Sequence, residues 1–167
     1  MIIYHVMIPL PPSVNRIWRK NKFGSIYLTP EGEEYKNNLL FGLHSFKKKV
    51  EAELSYHQLW WTDLQNIIFN MKYFFKDERR RDTHNYIKII ADAFQDVFEV
   101  DDRHFLFREI EKVIDKSFKQ HGVLLQLLFV PKMNAQSDCF EYHEHYHKFH
   151  PFDYPKSEID RFLSESI

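Results

Sequence analysis

The run QNIIFNMKYFFK, residues Gln65 to Lys76, followed at once by DERRRDTHNYIKIIADAFQDVF, residues Asp77 to Phe98, decides the fold. In its first half Ile67, Phe69, Met71, Tyr73 and Phe75 alternate with a set that includes Asn70, Lys72 and Lys76, and this two-residue period predicts a strand. After a turn-like Asp77 to Arg81, the period lengthens. Ile87, Ile90, Ala91, Phe94 and Phe98 recur at three and four residues, which predicts a helix from Asp82 or Thr83 to Phe98. At about 100° per residue the opposite face of that helix gathers His84, Lys88, Asp92 and Gln95 in one polar stripe, with Asn85 at its edge.

Working outward, Met1 to Ile8 is strand-like and stops at Pro9, Pro11 and Pro12, which cannot continue a central strand. A long loop from Pro11 to about Leu28 is expected next; loops of that length often carry function. Thr29 then caps a helix that opens with Pro30 and the acids Glu31, Glu33 and Glu34. Tyr35, Leu39, Leu43, Phe46, Val50 and Leu54 form its buried face, and Lys47 to Lys49 face mostly outward. Towards the C-terminus, Phe105 to Val113 and Gly122 to Val130 read as strands, the second apolar except for Gln126. Asp115 to His121 would join them as a hairpin. The order β-α-β-α-β-β predicts a single α+β domain over residues 1–130, a mixed sheet with the helices packed on it. Residues 131–167 read as a His/Tyr-rich, partly ordered extension in which Ser157 could cap one short helix. No internal repeat of 20 to 50 residues is visible, which removes solenoid architectures.

With 167 residues, 44% apolar and 17% aromatic, the chain can bury one core but hardly two. No apolar stretch approaches the roughly 20 residues of a membrane span. The first residues open directly into a strand without the pattern of a secretory signal, so a cytoplasmic location is expected. The single cysteine, Cys139, excludes an intrachain disulfide framework and fits a reducing compartment. A net charge of -1 argues against a nucleic-acid partner, but the charge is uneven. Residues 1–130 carry +2, from 19 basic and 17 acidic residues, whereas residues 131–167 carry -3, from 4 and 7. The basic residues cluster at Arg16, Arg19, Lys20 and Lys22, at Lys47 to Lys49, and at Lys76 with Arg79 to Arg81; each cluster alone is also what a solvated surface looks like.

Chemistry concentrates at Arg79 to Lys88 and again at Val100-Asp101-Asp102. Taken singly, Asp82 suits a helix cap and the paired aspartates suit a turn. Taken together, two acidic points separated by one helix and a turn can converge at one end of that helix and hold Mg²⁺ or Mn²⁺ through oxygen. Lys88, one turn beyond His84, can offset phosphate charge or pair with a carboxylate. Asn15, Arg16, Arg19, Lys20 and Lys22 form a second candidate surface with Trp18, which can stack on a base or anchor a solvated loop. Trp60 and Trp61 suit packing or a dimer contact. His143 and His147 are four apart, but their segment lacks a helical pattern and is left out of the site.

The order of these pieces resembles the RusA family of Holliday-junction resolvases over roughly residues 5–130. The first matching stretch is Pro9-Leu10-Pro11-Pro12-Ser13-Val14-Asn15-Arg16, then Tyr27-Leu28-Thr29-Pro30-Glu31-Gly32 with Tyr35-Lys36. The second is Arg80-Arg81-Asp82, with Asn85, Lys88 and Asp92, ending in Asp101-Asp102. The resemblance implies a homodimeric, Mg²⁺-dependent endodeoxyribonuclease that binds four-way DNA junctions and nicks two opposed strands during recombination and repair. It implies a catalytic set at Asp82, Lys88, Asp102 and the position of His84, with Asp82 and Asp102 as metal ligands and Asp101 as an additional or alternative one; His84 is a further candidate ligand. Arg80 and Arg81 would join Asn15, Arg16, Arg19 and Lys20 on DNA. His84 stands where the family has a second aspartate. Imidazole is softer than carboxylate and favours Mn²⁺ over Mg²⁺, so His84 is expected to act on the metal directly or through water. Two alternatives stand beside this: a branched-DNA-binding protein with a weakened catalytic centre, and a nuclease for another branched substrate.

Overall fold

In the computed structural model, which describes residues 2–132 together with Ser157 and Arg161, the chain forms one four-stranded mixed sheet with two long helices on one face. The elements are β1 (Ile2–Pro9), α1 (Val14–Ile17), β2 (Trp18–Lys20), β3 (Ile26–Leu28), α2 (Pro30–Tyr56), β4 (Leu64–Phe75), α3 (His84–Phe98), β5 (Phe105–Ile114) and β6 (Gly122–Pro131). The sheet order is β1-β6-β4-β5. β6 runs antiparallel to both β1 and β4, while β5 runs parallel to β4, with α3 as the crossover between them.

The alternation read from β4 sets the layers. Ile67, Phe69, Met71, Tyr73 and Phe75 point to the helices and meet Leu39, Leu43, Val50 and Leu54 of α2 and Ile90, Phe94 and Phe98 of α3 in one buried cluster. Phe69 anchors it, edge-on to Phe94 at 4.9 Å and stacked on Phe107 at 4.6 Å. Such aromatic pairs contribute about 0.5–1.5 kcal/mol beyond the area they bury. α2 begins as its sequence suggests, with Thr29 Oγ accepting from the Gly32 N–H and Pro30 in the first turn. Lys36 pairs with Asp96 at 2.6 Å, joining the two helices on their solvent side.

On the opposite face, Gln126 is buried rather than tolerated at a surface. Asn70 Nδ2 donates to its Oε1 at 2.9 Å, and its Nε2 lies 3.1 Å from His5 Nε2, so one polar row crosses β4, β6 and β1. Gln126 thereby has both ends of its amide paired, as burial requires, while Asn70 Oδ1 has no hydrogen-bond partner among the described residues.

Two expectations need correction. β5 and β6 are not a hairpin, because β4 lies between them. β6, apolar but for Gln126, suits an interior position, whereas β5 carries Arg108, Glu109, Glu111 and Lys112 and suits an edge, where charges discourage further pairing. The connection crosses the end of β4 instead: the Asp115 N–H donates to the Phe75 carbonyl at 2.9 Å, and Phe118 packs edge-on against Phe74. The second correction concerns Pro11 to Leu28, which is not a loop throughout. It holds the short α1 and the β2-β3 hairpin, paired as Trp18 with Leu28 and Lys20 with Ile26. Asn21 makes that turn: its Oδ1 accepts from the N–H groups of Phe23 and Ser25, and Gly24 takes a left-handed φ of 88°. The extension read over 131–167, with Cys139, His143 and His147, lies outside the described residues apart from Pro131, Lys132, Ser157 and Arg161.

Candidate active site

Three elements place the polar stripe of α3. Thr83, just before the helix, is buried; its hydroxyl hydrogen-bonds the Glu109 carboxylate on β5, and its carbonyl accepts from the Tyr73 hydroxyl on β4 at 3.4 Å. Burial, and next the nearby Glu109 charge, push the Tyr73 hydroxyl above its ordinary pKa, so it remains a donor. The start of α3 is thereby fixed to both neighbouring strands.

Asp82 and His84 flank that anchor and both face solvent. Asp82 Oδ1 accepts from the His84 N–H at 3.2 Å and lies 3.5 Å from His84 Nδ1. Asp82 therefore does serve the helix start, as its position suggests, and keeps its carboxylate beside the imidazole while doing so. One turn on, Lys88 Nζ lies 3.3 Å from Asp92 Oδ2 and 5.4 Å from the centre of the Trp18 ring.

A cleft of ≈ 470 Å³ runs along this stripe between α3 and β5, lined by His84, Lys88, Asp92 and Asp102 on a floor of Ile87, Ala91, Phe105 and Phe107. An apolar floor under a few charged groups is a common form of binding site. His84, Lys88 and Asp92 reach it because residues four apart share a helix face. Asp102 reaches it from the turn after α3, which Glu99 initiates in the left-handed conformation at φ 57°.

Asp101 and Asp102 part company. Asp101 Oδ1 caps the short turn by accepting from the Arg103 N–H at 3.0 Å, its Oδ2 lies 3.6 Å from Arg103 Nε, and it lines a separate cleft with Trp61 and His104. Asp82 precedes α3, whereas Asp102 follows it and borders the same cleft as His84, the neighbour of Asp82. His84, Asp92 and Asp102 line the cleft, and Asp82 stands beside it next to His84. In kind, three carboxylates and an imidazole suit a divalent cation. In position, among the described residues no three His, Cys, Asp or Glu side chains are gathered tightly enough to hold one. Asp92 was legible as part of the polar stripe but was not counted in the site; its spacing from Lys88 was the available signal.

The basic residues divide as well. Arg81 is committed internally: Nη1 and Nη2 bind the two Asp77 oxygens at 2.7 and 3.1 Å, and its guanidinium lies 4.9 Å from the Phe75 ring centre. Its neighbour Arg80 is exposed. Arg16 pairs with Glu31 at 2.9 Å, Arg19 and Lys20 are exposed on β2, and Asn15 lies in α1. Trp18 is half-buried against the core and so anchors the hairpin base. Trp61 packs on Phe98 and Phe129, while Trp60 stands exposed. No helix of the described residues is long and apolar enough to cross a membrane.

None of the curated proteins matches this chain. The family model for endodeoxyribonuclease RusA does match it, over residues 9–122, a span that begins at the end of β1, takes in the hairpin, α2, β4, α3 and the cleft, and closes at the first residue of β6. Most of the chain and every element around the cleft fall inside that match, and the chain therefore belongs to the RusA family of endodeoxyribonucleases, enzymes that hydrolyse phosphodiester bonds in DNA and act on Holliday junctions.

Proposed function

We propose that the protein is a divalent-metal-dependent resolvase, cutting four-way junctions by paired nicks as a homodimer, in recombination and repair in the cytoplasm. The observation that carries this reading is the cleft along α3, in which His84, Lys88, Asp92 and Asp102 border one space beside a basic hairpin.

Phosphodiester hydrolysis needs an activated water, neutralised phosphoryl oxygens and a stabilised leaving oxygen, and divalent cations supply these when bound. Asp82, His84, Asp92 and Asp102 are the groups that would hold such an ion, on drawing closer together than they stand here, and Asp101 is set aside because it lines another cleft. Lys88 offers an ammonium to a non-bridging phosphate oxygen; its present partner, Asp92, holds it pointing into the cleft. Arg80, Arg19 and Lys20 are exposed and suit phosphates flanking the cut. Because a four-way junction is nearly two-fold symmetric, a C2 dimer would present one such cleft to each of two opposed strands.

A second reading is a junction-binding protein with a weakened catalytic centre. The imidazole of His84 and the spread of the donors favour it. One assay separates the two. Labelled four-way, three-way and linear duplexes are incubated with the protein in Mg²⁺ and in Mn²⁺. Symmetric paired nicks confined to the four-way substrate support the resolvase; tight junction binding without nicks in either metal supports the second reading; cleavage of three-way or linear DNA at the same rate removes junction selectivity.

A further inference from the structure

The β2-β3 hairpin ends in an aromatic side chain that no other described residue buries. Phe23 is 81% exposed, and Ile26 and Tyr27 on the returning strand are 70% and 47% exposed. Leaving such groups in water is unfavourable, and three together within one short hairpin mark a contact surface. The turn that presents Phe23 is built, since the N–H groups of Phe23 and Ser25 are both held by Asn21 Oδ1 and Gly24 supplies the positive φ. The base is equally fixed: the Thr29 N–H donates to the Ile17 carbonyl at 2.7 Å, and the Thr29 hydroxyl to the Arg16 carbonyl at 3.0 Å.

Charge says what the surface fits. From Trp18 to Leu28 there are three cations, Arg19, Lys20 and Lys22, and no acid. Lys22 Nζ lies 5.0 Å from the centre of the Phe23 ring. A cation beside an exposed ring, with two more on the same hairpin, matches a nucleic acid whose bases are open to stacking, because the backbone meets the cations and the base meets the ring. In a continuous duplex every base is stacked between its neighbours; at a branch point that stacking is interrupted. The hairpin also adjoins the cleft, through the contact of Trp18 with Lys88.

We propose that Phe23 stacks on an unpaired base at the branch point of DNA, so that the hairpin holds the junction open beside the cleft. This rests on the junction-directed function above. Stacking on one base is lost with a drop in affinity of about 5- to 150-fold.

The test uses the full-length protein in EDTA, so that cleavage plays no part, and four-way junctions with 2-aminopurine next to the branch point. Binding of the parent protein should raise 2-aminopurine fluorescence as the base leaves its stack. Phe23→Ala should abolish that rise and weaken junction binding, with no change in the dependence of affinity on salt, since no charge is lost; Phe23→Trp should restore both. Lys20→Ala with Lys22→Ala should instead flatten the salt dependence. If Phe23→Ala still gives the full fluorescence rise, the inference is overturned while the resolvase reading stands. If the parent binds four-way junctions no better than linear duplex, the function itself fails, and the inference with it.

Discussion

Lys88 is held between two groups, 3.3 Å from Asp92 Oδ2 and 5.4 Å from the centre of the Trp18 ring, and so ties the polar stripe of α3 to the hairpin. An exposed ion pair of this kind adds only about 0–1 kcal/mol to stability, which makes a purely structural purpose a poor account of it. Asp92→Asn should lower metal-supported junction cleavage roughly 10- to 100-fold, the usual cost of disturbing groups that orient or hold a metal. Junction affinity in EDTA should stay the same or rise, because a negative charge leaves the cleft. A variant that melts earlier yet cleaves at the parental rate would reduce Asp92 to a structural partner.

His84 makes the metal preference testable. Restoring a carboxylate with His84→Asp adds negative charge and a hard ligand beside Asp82, whose Oδ1 lies 3.5 Å from His84 Nδ1. Cleavage in Mg²⁺ should then rise by roughly tenfold relative to cleavage in Mn²⁺, in keeping with the poorer match of imidazole to hard cations. Equal support by both metals in both proteins would show that His84 does not contact the cation.

Much of the fold was readable because its strongest signals are local. The alternation of β4, the three-and-four spacing of α3 and the capping residues before α2 each depend on nearby residues alone. Strand order does not: whether β6 pairs with β5 or with β4 depends on which strand suits the interior and on partners distant in the chain, such as Asn70 and His5, which meet the buried Gln126. The same division holds for the site. Residues on one helix, His84, Lys88 and Asp92, were placed together by spacing. The relation of Asp82, which precedes α3, to Asp102, which follows it, and the divergence of Asp101 from Asp102 depend on a turn that no pattern of residue types announces. Phe23 gave no signal, because exposure is a property of the folded chain.

Acid should destabilise the protein in two steps. His121 Nδ1 accepts the Lys76 N–H at 3.1 Å, which requires an unprotonated nitrogen there, and burial together with the Arg81 charge holds the imidazole below its ordinary pKa. The unfolded chain therefore takes up this proton first, and stability is lost as pH falls below about 6.5, the unperturbed histidine value. Asp77 follows. Its hydrogen bonds from Arg81, helped by the Arg79 N–H, hold its carboxyl far below the ordinary range. Its contribution is fully present above about 4 and declines as pH falls further. Melting temperature measured from pH 8 to 3 should show both limbs, and His121→Gln should flatten only the upper one. A melting temperature that rises on acidification from 7 to 5 would contradict the assigned direction for His121.

Gly32 has a role that its helical position does not suggest. It lies in the first turn of α2, where alanine is ordinarily the better residue, yet a Cβ there would come within 2.7 Å of Leu28 Cδ2 and 2.9 Å of Ile17 Cβ, with the Ile17 carbonyl at 3.1 Å. The missing side chain is what lets the hairpin base close onto the helix. Leu28 could rotate away, but Ile17 is fully buried and its carbonyl is already held by the Thr29 N–H, so the backbone would have to give. Gly32→Ala should cost about 1–3 kcal/mol, the range for overpacking a filled site. The damage should be local: hydrogen exchange ought to quicken at Thr29 and along β2 and β3, while amides of β4 and β6 keep their protection. Junction affinity should fall with it, since the hairpin carries Arg19, Lys20 and Phe23. Unchanged exchange at Thr29 together with full stability would mean that the helix start shifts freely, and that the close approach of Ile17 to Gly32 is not what seats the hairpin.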